Sequence, residues 1–343
     1  MVTMQDIAEA AKVSRGTVSY VLNGKYKQAK ICKATNEKIL AVAEKLGYRR
    51  NAIAQSVKTG KTNVIGIIGG LYSSYCMEII EGINDIASKK NYIIKLFPTK
   101  TTDEVKNAAR KSAEQRLAGV ICRSLTEEDL EILQEELEPN NIPIVLIDSS
   151  FSHEWCSRVI SDDFAGAKVA TEHLLELGHR NIGFVTKKLS RGFSKVRYDG
   201  YMKAMAEWGI EVGKNDICVI NSRDKILNTS RKIIKDFLER KKPTAVFCAA
   251  DPLAMQVMST AYSLDIKIPQ DLLVTGFGGL NYTAFSSPPL TTVQQPFMKM
   301  GRKASEILLS EIKEKSSKKE IKLPVELIIR ESTRKHEKKE KEK

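Results

Sequence analysis

The chain has 343 residues, too many for one ordinary core, and at roughly 150 residues per domain it divides into two or three units. Its 42% hydrophobic and 28% charged content is that of a soluble globular protein, and no apolar run reaches the ~20 residues of a membrane span. The segment Met1–Asp6 lacks the basic and apolar regions of a signal peptide, so the expectation is a cytoplasmic protein. The formal net charge is +13, and residues 1–62 hold twelve Lys/Arg against four Asp/Glu. Such a concentrated excess is the footprint of a polyanionic partner.

Thr3 followed by Asp6 is a helix start, a hydroxyl cap with an acid in the first turn. Ile7, Ala8 and Ala11 repeat at helical spacing until Lys12-Val13. Ser14 then caps a second helix with Val18, Val21 and Leu22 on its apolar face. A third helix, about 33–46, carries Ile39, Val42, Ala43 and Leu46 and stops at Gly47. Two short helices joined by a tight turn, with a third completing the core, predict a helix-turn-helix. In such a unit the second helix enters the major groove by its N-terminus. Its solvent-facing positions there are Arg15, Gly16 and Tyr20. Arg15 has the reach and fork geometry for guanine O6/N7, whereas Gly16 has no side chain to read with. Ser14, Thr17, Ser19 and Asn23 are short polar groups suited to phosphates or caps. On spacing alone the alternative stays open that Arg15 and Tyr20 are ordinary surface residues of a small helical domain.

After Gly60-Lys61-Thr62-Asn63 the texture changes. The apolar runs Val64–Gly69, Ile93–Phe97, Val120–Cys122, Ile144–Ile147, Ile182–Val185, Ala245–Cys248 and Leu272–Thr275 are separated almost throughout by amphipathic stretches, the first near 77–89. Buried parallel strands with helical crossovers predict a doubly wound α/β fold, with ligands in the crevice beyond the strand carboxyl ends. Gly66-Ile67-Ile68-Gly69-Gly70 is not a dinucleotide fingerprint, and no phosphate-cradling or nucleophile-elbow motif occurs. Adjacent Asp162 and Asp163 cannot face each other on one element. The expectation is a protein that is not an enzyme and carries no cofactor. Cys32, Cys76, Cys122, Cys156, Cys218 and Cys248 form no C-x-x-C pair and read as reduced thiols. His173 and His179 are six apart, wrong for one helix face, so no metal site is expected. The closing run Lys335–Lys343 alternates Lys with Glu and reads as a disordered tail.

The string from Thr3 to Gly24, TMQDIAEAAKVSRGTVSYVLNG, resembles the LacI/GalR family headpiece, and the likeness continues through Lys45–Tyr48 and Asn51–Ser56. Further matches are Asp162–Ala167 with His173–His179, Arg197-Tyr198-Asp199-Gly200-Tyr201, and Pro288–Val293, so the resemblance spans about residues 2–330. It implies a headpiece over 1–48, a hinge helix and linker over 49–62, and a periplasmic-binding-protein-like sensor of two subdomains, 63–161 with 292–320 and 162–291 with 321–330, leaving a basic tail over 331–343. It further implies base reading by positions 15, 16 and 20, and minor-groove contacts by Asn51, Ala54, Val57 and Lys58 of a hinge helix that orders on the operator. Where the family wedges a leucine into the central base step this chain has Val57, and Arg50 replaces the usual proline; both bear on the kink.

The effector positions implied by the resemblance are Ser73, Ser74, Tyr75, Asp148, Asp162, Arg191, Arg197, Phe247, Ala250, Asp251 and Gly278. Arg197 offers planar donors to sugar hydroxyls or a carboxylate, against the alternative of an interdomain salt bridge. Tyr75 is either a stacking wall or simple packing. His173 and His179 are expected to be structural. Ala249-Ala250-Asp251 and Gly276-Phe277-Gly278-Gly279 lack an amide and an acid that the family usually carries there. The effector is then less hydroxylated than a free sugar, or water fills the gap, or ligand control is lost. The resulting expectation is a homodimeric repressor that binds operator DNA and answers to a small-molecule effector such as a sugar or related metabolite. The rivals are control by a protein partner and, opposed by the headpiece, a solute-binding protein of transport.

Overall fold

A computed structural model of the chain describes residues 2–49, 62–149, 151, 153–187, 192–220, 227–314 and 317–334, without side chains at 227 and 228. The chain forms two units that meet at Thr62 and Asn63. Asn51, Ala54, Val57, Lys58 and Arg191 lie outside the described residues.

The first unit is helical: α1 (Met4–Ala11), α2 (Arg15–Leu22) and α3 (Lys33–Lys45). Its local signals act as expected. The Asp6 N–H donates to Thr3 Oγ1 at 3.3 Å while Asp6 Oδ2 accepts from the Thr3 N–H at 2.7 Å, a reciprocal cap on α1. Lys12 takes the left-handed conformation (φ 54°), ending α1 and turning the chain so that Ser14 caps α2. Ile7, Ala8, Ala11, Val18, Val21, Leu22, Ile39 and Ala43 form one buried cluster. Each helix alone is too short to persist in water, so this shared core is what fixes them. Leu46, expected on the apolar face, is the exposed C-cap of α3.

The second unit contains two six-stranded sheets. The first has the order β11-β5-β4-β3-β1-β2, with β1 (Val64–Gly69), β2 (Ile93–Pro98), β3 (Gly119–Arg123), β4 (Ile144–Ile147), β5 (Ser157–Ser161) and β11 (Glu320–Leu323), all parallel. The second has the order β12-β10-β9-β8-β6-β7, with β6 (Ile182–Thr186), β7 (Ile217–Val219), β8 (Ala245–Cys248), β9 (Leu273–Gly278), β10 (Thr291–Gln294) and β12 (Glu326–Ile328); only β12 runs antiparallel. Helices α4 (Cys76–Lys89), α5 (Thr102–Glu114), α6 (Glu127–Leu137), α7 (Asp163–Glu176), α8 (Phe193–Glu207), α9 (Leu227–Lys241), α10 (Asp251–Tyr262) and α11 (Phe297–Lys313) supply the crossovers. Right-handed parallel crossovers need such helices, and they bury both faces of each sheet.

The chain passes between the two sheets three times: at Asp162, at Gln295-Pro296 and at Pro324-Val325. The last two crossings fall a few residues beyond the expected boundaries at 291/292 and 320/321. Thr292 still pairs in β10 with Gly276 of β9, and Leu323 still pairs in β11 with Ser161 of β5. In the first subdomain α4 and α11 touch through glycines. A Cβ on Gly82 would lie 2.1 Å from Met298 O, and one on Gly301 would lie 2.1 Å from Ile79 O. The two backbones therefore approach closely over the cluster of Ile79, Ile83, Met300, Ala304 and Leu308.

Candidate functional site

The headpiece presents the start of α2. Ser14 Oγ accepts from the Thr17 N–H at 3.1 Å and contacts Thr17 Oγ1 at 2.9 Å. The Asn23 amide donates to Ser19 O at 2.8 Å and Ser19 Oγ at 3.3 Å. Ser14, Thr17, Ser19 and Asn23 thus hold the two ends of the helix. Arg15, Gly16 and Tyr20 project outward, Tyr20 with half its surface exposed at 50%. A Cβ on Gly16 would meet nothing nearer than Ser14 Oγ at 3.6 Å, so packing within the headpiece does not demand glycine there.

The crevice expected between the subdomains would lie at the strand carboxyl ends of the two sheets, where two buried polar clusters stand. On the first-subdomain side, Arg123 ends β3 and is 3% exposed. Its guanidinium donates from Nη1 to Gly70 O at 2.5 Å and from Nη2 to Asp148 Oδ2 at 3.3 Å and to the Tyr75 hydroxyl. It also lies over the Tyr75 ring, 4.5 Å from the centroid, while that ring stacks on Phe297 at 4.4 Å. Ser73 Oγ contacts Cys76 Sγ at 2.9 Å at the start of α4, and Ser74 is exposed beside it.

On the second-subdomain side, Arg197 projects from α8. Its Nε and Nη2 reach Asp163 Oδ2 at 2.8 and 2.7 Å, Nη1 donates to Ala249 O at 2.6 Å, and Nη2 donates to Gln295 Oε1 at 3.3 Å. The guanidinium rests 3.8 Å from the Phe277 ring centroid. Gln295 in turn donates to Ser161 Oγ at 2.7 Å, and Ser161 donates to Asp163 at 2.5 Å. Arg197, Asp163, Ser161 and Gln295 therefore close a buried ring across two of the three crossings. Burial pushes the Asp163 carboxyl above the ordinary carboxylate range, and Arg197 pulls it back only in part. Burial and then Asp148 push the Tyr75 phenol up, while Arg123 and, from the facing subdomain, Arg197 act against them.

Several expected effector residues have other work. Phe247 is fully buried in the β8 core, 5.5 Å from Phe184, and lines no crevice. Asp251 is also fully buried; its oxygens accept from the Leu280 N–H at 2.8 Å and the Thr292 hydroxyl at 2.5 Å, pinning the loop after β9. This explains the glycines around it. A Cβ on Gly276 would lie 2.4 Å from Asp251 Oδ1 and one on Gly278, at φ +138°, would lie 2.9 Å from Oδ2. Asp162 caps α7 by accepting from the Ala165 N–H at 3.2 Å. Ala250 precedes α10 without a side-chain cap. Asp148 and Arg197 stand in the buried polar clusters at the strand ends, and Tyr75 is packed there against Phe297 and Arg123. His173 and His179 contact Thr333 and Thr244 hydroxyls, each at 2.9 Å, as structural residues. Arg123, Asp163 and Gln295 escaped the sequence reading. The available signal was the charged Arg123 closing the apolar run Val120–Cys122 at a strand end. Among the described residues no His/Cys/Asp/Glu group is arranged to hold a metal, and no helix is long and apolar enough to cross a membrane.

A helix-turn-helix with an outward-facing second helix, followed by two doubly wound subdomains around a crevice, defines the DNA-binding regulators with a periplasmic-binding-protein-like second unit. The profile described as "Bacterial regulatory proteins, lacI family" matches residues 3–51, and that of the "Periplasmic binding protein-like domain" matches residues 171–333. The chain is 31% identical over 340 residues to the HTH-type transcriptional repressor PurR of Aliivibrio salmonicida, covering 98% of this chain and 100% of that protein. It is 32% identical over 326 residues to PurR of Vibrio atlanticus, covering 94% and 95%. Its fold is similar to the lac repressor dimer bound to operator and the anti-inducer ONPF, with a TM-score of 0.79, 24% identity and coverage of 97% and 99%. It is likewise similar to the transcriptional regulator CelR–cellobiose complex, with a TM-score of 0.72, 24% identity and coverage of 97% and 100%. These relatives are regulators rather than enzymes. The chain belongs to the LacI family and is a DNA-binding transcriptional regulator.

Proposed function

We propose that the protein is a cytoplasmic, non-enzymatic repressor that binds a near-palindromic operator as a homodimer and is controlled by a small molecule in the sensor crevice. The observation that carries this reading is the capped α2 with Arg15 outward at its leading end and Tyr20 outward a turn and a half further on. A helix so held offers a rigid guanidinium to base edges, while Ser14, Thr17, Ser19 and Asn23 stay close to the phosphates. Two such helices related by a two-fold axis match the two half-sites of a palindrome. The exposed Met77 on α4 and the exposed Ile93 and Leu96 on the terminal strand β2 support self-association, because an apolar sheet edge left in water invites pairing. Effector binding in the crevice would change the angle between subdomains at the three crossings, and the coupling to operator binding is reciprocal.

Operator selection from a random DNA pool with the full-length protein tests the reading. A two-fold symmetric consensus is expected, and Arg15→Ala is expected to flatten the preference at one base pair in each half-site. An unchanged consensus from the Arg15→Ala protein would remove Arg15 as a base reader. A monomer by sedimentation at micromolar concentration would remove the homodimer.

A further inference from the structure

The crevice selects its occupant by the hydrogen-bonding capacity left once the protein has satisfied its own groups. Its carboxylates are largely engaged by the protein. Asp148 is held through one oxygen by Arg123 and Asp163 by Arg197 and Ser161, while Asp251 is wholly buried against the Leu280 N–H and Thr292. Ala250 and Gly278 add no acceptor side chain. A neutral polyhydroxylated ligand needs acceptors for its hydroxyl protons, and among the described residues the carboxylates at these strand ends are largely engaged.

A donor, by contrast, is left over. Arg123 Nε is buried without a partner among the described residues. A buried donor without an acceptor is costly unless something else supplies one. The Arg123 guanidinium spans the carboxyl ends of β1, β3 and β4, and its contact to Asp148 is a single one at 3.3 Å. The Arg197 guanidinium holds Asp163 through two atoms at 2.8 and 2.7 Å. Arg123 is therefore the more readily re-partnered of the two cations. Helices α4, α8 and α10, which follow β1, β6 and β8, begin with no side-chain cap, whereas Thr101, Thr126 and Asp162 cap α5, α6 and α7. Uncapped N–H groups and the helix dipole both favour a negative charge at such ends.

We propose that Arg123 is a specificity-determining residue of the crevice and that the effector carries an acidic group, a carboxylate or a phosphate, which takes Arg123 from Asp148. This rests on the crevice being the effector site. Calorimetric titration of the full-length protein tests it, with ribose 5-phosphate, glucose 6-phosphate, gluconate and citrate beside neutral ribose, glucose and adenine. At least one acidic probe is expected to saturate while its neutral counterpart does not; sugar phosphates and sugar acids tell the two sources of charge apart. Arg123→Met combined with Asp148→Asn removes both charges together, so no buried carboxylate is stranded, and it is expected to bind that probe about ten-fold more weakly or worse. Arg123→Lys keeps the charge but not the fork and is expected to recover part of the loss. A neutral probe that binds the wild type and the double variant equally overturns the acidic class and the role of Arg123, yet leaves the crevice as an effector site. If no probe of either kind binds or alters operator affinity, both readings fall and control passes to a protein partner.

Discussion

Arg197 and Asp163 tie the crevice to the crossings, and replacing one without the other should show how strongly. In Arg197→Met the Asp163 carboxylate, 3% exposed, keeps only the Ser161 hydroxyl at 2.5 Å and the Gln295 amide at 3.5 Å. Stranding a buried charge in this way costs about 3–5 kcal/mol. Asp163→Asn leaves the guanidinium with Ala249 O, Gln295 Oε1 and the Phe277 face, so its cost should sit near 3 kcal/mol, the lower end of that ~3–5 range. The double variant carries neither charge, and Gln295 still bonds Ser161 at 2.7 Å. It should lose only about 1–3 kcal/mol for the remaining unmet polar groups. The two single costs sum to about 6–8 kcal/mol against about 1–3 for the double, so the coupling energy is at least about 3 kcal/mol in favour of the pair. Urea titration read by tryptophan fluorescence measures it, because the chain has two tryptophans, Trp155 and Trp208, and both lie in the second unit. Single costs that simply add to the double, within about 0.5 kcal/mol, would refute the claim that this pair acts as a unit.

Gly301→Ala should destabilise the sensor by about 1–3 kcal/mol in thermal or urea melts, since its Cβ would meet Ile79 O at 2.1 Å. Gly16→Ala should do the opposite in the headpiece, stabilising α2 by about 0.5–1 kcal/mol through helix propensity. A clash-type loss at position 16, followed by circular dichroism, would contradict the open space around it. Ser14→Ala should cost about 1 kcal/mol of headpiece stability by removing the α2 cap. Burial raises the Asp251 carboxyl despite its hydrogen bonds to Leu280 and Thr292, so its folded pKa exceeds its unfolded one. The folded state then binds the extra proton between those two values. The wild type should accordingly gain stability relative to Asp251→Asn as pH falls from neutrality toward about 4, the ordinary aspartate range. A stability difference independent of pH across that window would contradict the raised pKa.

The headpiece is written almost entirely in the sequence, because its determinants are local. Thr3, Asp6 and Ser14 act within one helical turn, and the spacing of Ile7, Val18 and Val21 sets the buried face whatever else the chain does. The central parallel strands are legible for a related reason: buried on both faces, they read as continuous apolar runs. The strands β5, β7, β11 and β12, the last three at sheet edges, are not. They are short, and all but the three-residue apolar β7 are mixed in polarity, Ser157–Ser161 alternating buried with half-buried; only a partner strand makes them strands at all. Which sheet claims Thr292 or Leu323 is a matter of pairing, so the crossings could be placed only to within a few residues.

The crevice divides along the same line. That Arg197 and Asp148 belong to this region is what the family likeness implies. What each side chain has left to give a ligand depends on residues brought in from far along the chain. Leu280 and Thr292 occupy Asp251, Gln295 and Asp163 occupy Arg197, and Tyr75, Gly70 and Asp148 occupy Arg123. Residue type and spacing determine which groups stand at the site. Only the tertiary structure decides which hydrogen bonds remain unmade, because each is settled by a partner that sequence proximity does not supply.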